Sequence, residues 1–169
     1  MYQSITTSAY TFENTISGNY LYIDKTDYFH RLVREQNGIF FLSRPRRFGK
    51  SLSVSILKNI FKGNKELFKG LKIYDMLYDW MSYPVINLNI SQAPCESAEI
   101  LNRGLCAIVR NNAKEIGIEL TGETHSGLLF GELINMAKDL GKVVILIDEY
   151  DKPLVENIYA PHVEEVRQV

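Results

Sequence analysis

Cysteine is scarce in this chain: Cys95 and Cys106 are the two present, and they form no Cys-x-x-Cys pair. That argues against a disulfide framework or a thiolate metal site. Cys106 falls on the apolar stripe of an expected helix and reads as a buried thiol. The three histidines, His30, His125 and His162, are scattered without ligand spacing, so no metal site of their own is expected. Long apolar runs are also missing. The longest strongly apolar stretch, "VVILI", is far short of the roughly 20 residues a membrane-spanning helix needs. The N-terminus, "MYQSITTSAYTFENTIS", has neither a basic start nor an apolar core, and together these absences predict a cytoplasmic protein. Charge of one sign is lacking too: 19 basic and 20 acidic residues leave a net charge of -1. No global field would recruit nucleic acid or an anionic membrane, and such a contact would need a local patch.

What is present fits a soluble globular chain of about one domain, 46% apolar and 23% charged over 169 residues. Strands alternate with helices. Asp24 is placed to cap a helix from Lys25 to about Gln36, with Tyr28, Phe29, Leu32 and Val33 at helical spacing and Gly38 as a stop. "GIFFLS" follows, apolar without alternation, as expected of a strand buried on both faces of a parallel sheet. Leu52, Ile56, Leu57, Ile60 and Phe61 mark a second helix, ended by Gly63. "NKELFKGLKIYDMLYDWMSY" reads as a helical turn and an aromatic connector, with Trp80 as a packing anchor. "PVINLNIS" is a second strand with Pro84 at its start. A helix from near Glu96 to Gly117 and another from Ser126 to Leu140 precede the third strand, in "KVVILIDEYDKP". This order calls for an α/β fold, a parallel sheet with helices on both faces.

Two motifs carry chemistry. "FFLSRPRRFGKSLS" sets Gly49-Lys50-Ser51 between an expected strand and an expected helix, the context in which backbone N–H groups and the helix dipole converge on phosphate. Gly49 would let the backbone approach the phosphates, Lys50 would reach the β- and γ-phosphates, and the Ser51 hydroxyl would ligate Mg²⁺. Arg44 stands where a P-loop has its first glycine, so on these residues alone the segment is either a nucleotide site or an ordinary strand-to-helix turn with a solvated basic cluster. The second motif ends the third strand: Asp148 could hold Mg²⁺ through its water shell and Glu149 could take a proton from an attacking water. The competing reading is a helix cap. Two half-motifs in the correct order, each after its own expected strand and about a hundred residues apart, favour the nucleotide site.

"YLYIDKT", "FFLSRPRRFGKSL", "LFKGLKIYD", "YPVINLNIS" and "VVILIDEYDKPL" together resemble the AAA-ATPase-like family of bacterial P-loop proteins, from about Tyr10 to Val155. Members of that family often carry a C-terminal nuclease-like domain of the PD-(D/E)XK type. The family's loop has the same arginine-rich approach to its glycine-lysine-serine, so Arg44 looks like the family's own variant. The resemblance implies a P-loop NTPase of the additional-glutamate type, with ATP and Mg²⁺ as cofactors. It implies a nucleotide loop of Arg44, Pro45, Arg46, Arg47, Phe48, Gly49, Lys50, Ser51 and Leu52, metal contacts from Ser51 and Asp148, and Glu149 at the water. Arg44, Arg46 and Arg47 either supplement the phosphate cradle or form a solvated loop. Asp24, Lys25 and Thr26 of "YIDKT" read as structural, and Asp151, Lys152 and Pro153 as the start of a helix.

The family's sheet order of 5-1-4-3-2 would make "IFFLS" first, "PVINLNI" second and "VVILID" third, with a fourth strand between the first and third. The chain stops at Val169 before that strand. Residues 1–169 are therefore expected to be the N-terminal portion of a single P-loop ATPase-like domain, prone to self-association, with its remainder absent. The tail's Val163, Val166 and Val169 are spaced for a helix and not for a buried strand. The expected function is ATP and Mg²⁺ binding, with hydrolysis in the complete protein. The alternative is a nucleotide-responsive binding module for DNA or a partner protein, with little or no hydrolysis.

Overall fold

The computed structural model describes residues 4–5, 11–34, 38–45 and 47–169. The chain divides into two compact units, residues 1–82 and 83–169.

The first unit is helical. It contains α1 (Phe12–Ser17), α2 (Thr26–Val33) and α3 (Lys50–Phe61), followed by 3-10 turns at Lys65–Phe68 and Lys72–Asp75. Phe12, Val33, Ile56, Ile60, Phe68 and Ile73 form its core. Phe68 is central, with ring centroids 4.7 Å from Phe12 and 5.2 Å from Trp80. Trp80 is thus the packing anchor expected of it, although its buried Nε1 has no hydrogen-bond partner. Helix α1 was not anticipated. Thr11 caps it by accepting a hydrogen bond from Asn14 N–H at 3.3 Å.

The "DKT" and "LKIYD" segments are joined by hydrogen bonds. Asp24 accepts from the N–H and hydroxyl of Thr26 at 2.8 and 2.7 Å, and its second oxygen accepts from Lys72 N–H at 2.8 Å. The fully buried Thr26 hydroxyl accepts in turn from Ile73 N–H at 3.0 Å. The cap position of α2 is Lys25, with no side-chain cap, and not the expected Asp24, which from one residue earlier holds the Thr26 N–H and ties the helix start to the 3-10 turn at 72–75. Helix α2 begins at Thr26, and the expected end of this helix falls partly on residues 35–36, outside those described.

The second unit is α/β. Strand β1 (Val85–Asn89) pairs in parallel with β2 (Val144–Asp148), Val85 opposite Val144 and Asn89 opposite Asp148. These are the two strands that the resemblance makes neighbours. Pro84, expected as the strand's first residue, stands one position before β1; it cannot donate to the ladder, yet its carbonyl accepts from Val144 N–H at 2.9 Å. Helices α4 (Ala98–Glu115) and α5 (Ser126–Ala137) pack with β1 around Ile86, Leu88, Leu101, Val109, Leu129 and Leu133. Ser97 caps α4, and Gly117 at φ 77° ends it while Ile118 N–H returns to Ala113 O at 2.9 Å. Cys106 is buried and free, in agreement with expectation. Two short helices close the unit, α6 (Lys152–Glu156) and α7 (Val163–Gln168). The valine spacing of the tail is helical, and Val166 is buried against the core.

One expectation fails. "IFFLS" forms no strand: residues 38–45 have no regular secondary structure, and Ile39, Phe40, Phe41 and Leu42 are exposed. Strand propensity expresses side-chain packing on a paired, half-buried surface, and this run joins no ladder among the described residues. Among the described residues the sheet accordingly has two strands and not three.

Candidate functional site

The glycine-lysine-serine segment sits at the start of α3. That helix forms because Ile56 and Ile60 recur on one face and bury against the first unit's core, with Ser53 and Asn59 alongside. Its middle is anchored to α1: Ser55 Oγ accepts from Phe12 N–H at 2.9 Å and donates to Glu13 at 2.8 Å. Burial opposes the charge on Glu13, but hydrogen bonds from Asn59, its own backbone and Ser55, with Lys58 nearby, outweigh it and hold the carboxyl below its ordinary value.

Ahead of the helix the chain turns sharply. Phe48 N–H donates to Pro45 O at 3.3 Å, and Arg44 Nη1 donates to Phe48 O at 3.4 Å. Arg47 and Gly49 are left-handed, at φ 66° and 75°. Gly49 occupies the cap position and supplies no side chain, so the first turn of α3 begins without a side-chain cap. A Cβ at Gly49 would meet nothing within 4 Å, so the residue's requirement is the backbone angle and not space. The Gly49 carbonyl accepts from both the N–H and the hydroxyl of Ser53, each at 2.9 Å, which fixes the turn onto the helix. Lys50 and Leu52 are half-buried, while Arg44, Pro45, Arg47, Phe48, Gly49 and Ser51 are exposed. Arg46 lies outside the described residues.

The carboxylate pair ends β2 in the second unit. Asp148 is its last residue and is 7% exposed. Its Oδ1 accepts from Glu149 N–H at 3.1 Å. Glu149 leaves the strand in the left-handed region, φ 55°, with an exposed side chain. Glu149 O accepts from Lys152 N–H at 3.1 Å, closing the turn into α6. Asp151 stands just before α6 and makes no side-chain cap, and Pro153 takes an early helical position.

Contacts that the sequence did not announce hold this turn. Lys152 Nζ donates to Ser91 O at 2.8 Å. Asn157 Nδ2 donates to Cys95 O at 2.7 Å and to Pro153 O at 2.9 Å, and His162 Nε2 lies 2.9 Å from Asn157 Oδ1. The Cys95 thiol donates to Glu156 at 2.9 Å, and burial together with that carboxylate pushes its pKa up, so it is a neutral donor and not a nucleophile. The contacts of Lys152 with Ser91, Asn157 with Cys95 and Cys95 with Glu156 join residues some sixty positions apart, and no local pattern announces them.

No helix among the described residues is long and apolar enough to cross a membrane. Comparison with known proteins bears on the motifs. The chain is 38% identical over 148 residues to an uncharacterized protein in the vnfD 5' region of Azotobacter chroococcum mcd 1. The match covers 86% of this chain and 28% of that protein. No solved structure matches. The model of one protein family, described as predicted AAA-ATPase, matches residues 7–169, and the chain therefore belongs to the AAA-ATPase-like family.

Proposed function

We propose that this chain binds ATP with Mg²⁺ as a P-loop domain and supplies the residues for ATP hydrolysis in the complete protein. The observation that carries the reading is the start of α3: a left-handed Gly49 that offers no side-chain cap, followed at once by Lys50 and Ser51. The first N–H groups of a helix lack intrahelical acceptors and carry partial positive charge, which suits a phosphate. The nearly buried Asp148 at the carboxyl end of a parallel strand is the second support, because ligands of open α/β sheets bind at that end. Mg²⁺ is a hard cation served by oxygen, and the Ser51 hydroxyl in the first unit and the Asp148 carboxylate in the second are each donors of that kind. When bound, Mg²⁺ neutralises charge on the phosphates.

The chain's own groups then divide the work. The Lys50 ammonium and the backbone N–H groups of the α3 start bind and orient the phosphate chain. Arg44 and Arg47 add charge-assisted contacts to phosphate oxygens. Glu149 orients a water and accepts its proton. A second reading, a nucleotide-responsive binding module, is favoured by the exposed run at Ile39–Leu42, which offers an apolar surface to a protein partner.

The test is calorimetric titration with a non-hydrolysable ATP analogue and Mg²⁺. Lys50→Ala is expected to weaken binding by about 1.5–3 kcal/mol, the worth of a hydrogen bond to a charged group, or roughly tenfold to a hundredfold. Unchanged affinity would remove the loop from the site. Phosphate release by the wild-type chain and by Glu149→Gln separates the two readings: equal background rates would leave the binding module.

A further inference from the structure

The turn that carries Glu149 is strained and short, and it is fixed at both ends by different means. On one side it leaves β2 through Asp148, which pairs with Asn89 of β1. On the other it enters α6, which has only five residues and would not persist alone in water. Beside the Cys95 thiol's bond to Glu156, α6 is held by side chain-to-backbone contacts. Lys152 reaches Ser91 O and Asn157 reaches Cys95 O, at 2.8 and 2.7 Å, so both ends of α6 are fastened to the segment that follows β1. Asn157 is 7% exposed, and it ties α6 internally through Pro153 O and outward to His162. A glutamate at φ 55° has no intrinsic preference for that conformation and keeps it only while its surroundings impose it.

We propose that Lys152 and Asn157 are positioning residues that hold Glu149 in its left-handed conformation, by clamping α6 to the Ser91–Cys95 segment. The proposal rests on the reading of Glu149 as the group that orients water. With the clamp cut, α6 loosens, Glu149 relaxes toward ordinary backbone angles, and its carboxylate leaves the position that the end of β2 gives it. Nucleotide contacts at Lys50 and Ser51 involve none of these bonds. The clamp should therefore govern turnover and leave binding alone.

The experiment uses the whole chain with Lys152→Met, Asn157→Ala and, as conservative rescue, Lys152→Arg. Amide hydrogen exchange is read over residues 149–157, with α4 as internal reference. Faster exchange over 149–157 in Lys152→Met and Asn157→Ala, with α4 unchanged and Lys152→Arg close to wild type, is expected; unchanged exchange in both variants overturns the clamp. In phosphate-release kinetics the same two variants should lose about tenfold to a hundredfold in kcat, with KM for ATP within about twofold and Lys152→Arg again near wild type. A wild-type chain that turns over ATP alongside variants with unaltered kcat, or with KM raised instead, overturns the positioning role while the ATPase reading stands. A wild-type chain with no release above background overturns the role assigned to Glu149, and the positioning role with it, and exchange still decides whether the clamp exists.

Discussion

Asn112, on α4, is the side chain that closes the outer edge of β1, and its removal should be among the costliest single changes in the second unit. It is 6% exposed. Its Oδ1 accepts from Asn87 N–H at 2.6 Å, while its Nδ2 donates to Asn87 O at 3.1 Å and to Ile108 O at 2.9 Å. The amide thus imitates the missing neighbour of a ladder, satisfying both backbone groups of Asn87. Asn112→Leu keeps the branching at Cγ and raises helix propensity, but leaves one N–H and one C=O of β1 without partners. At about 1–3 kcal/mol for each of the two buried groups left unpaired, the expected loss is about 2–6 kcal/mol, against a typical domain stability of about 5–15 kcal/mol. Urea denaturation followed by far-UV circular dichroism measures it. Hydrogen exchange should localise the loss to β1 and, through the register of Asn89 with Asp148, to the end of β2. A loss under about 0.5 kcal/mol, the range of ordinary surface substitutions, would show that water replaces the amide at no cost and would refute the reasoning.

Other outcomes follow from the two units separately. Phe68→Ala, which empties the ring stack between Phe12 and Trp80, should destabilise the first unit by about 3–5 kcal/mol in thermal melts. Burial opposes the charge on Asp24, but the hydrogen bonds from Lys72 and Thr26 outweigh it, so its folded pKa lies below its ordinary value. Its contribution is therefore complete above the unfolded carboxylate value of about 3.9 and lost as pH falls through the folded value, so Asp24→Asn should lower stability at neutral pH and flatten the acid limb of a stability-pH curve. Asp148→Asn should abolish the Mg²⁺ dependence of nucleotide binding, whereas Glu149→Gln should keep binding and lose turnover. The same phenotype in both would return the pair to a helix-capping role.

What the sequence announced and what it did not differ by the range of the interaction involved. The helix expected from near Glu96 to Gly117 and found at Ala98–Glu115, the helical tail around Val166, and the strands at 85–89 and 144–148 depend on short-range patterns, and each is found within a few residues of where those patterns put it. The motif at Gly49-Lys50-Ser51 was legible for the same reason, since helix onset and the need for a left-handed cap are encoded within a few residues. The run "IFFLS" was legible as apolar, but apolarity fixes only what a strand would need and not whether a neighbour exists to supply it. Its exposure in the structure shows the difference: Ile39 at 104% and Phe41 at 73% have strand-forming side chains outside any sheet. The contacts of Asn112, Lys152 and Asn157 lie at the opposite limit. Asparagine in a helix and lysine before a proline carry no signal of a backbone partner twenty-five or sixty-one residues away. Yet the contacts of Lys152 and Asn157 fasten the helix that directly follows Asp148 and Glu149. Chemistry-bearing residues can therefore be named from their motifs, while the residues that aim them have to be found in the packed structure.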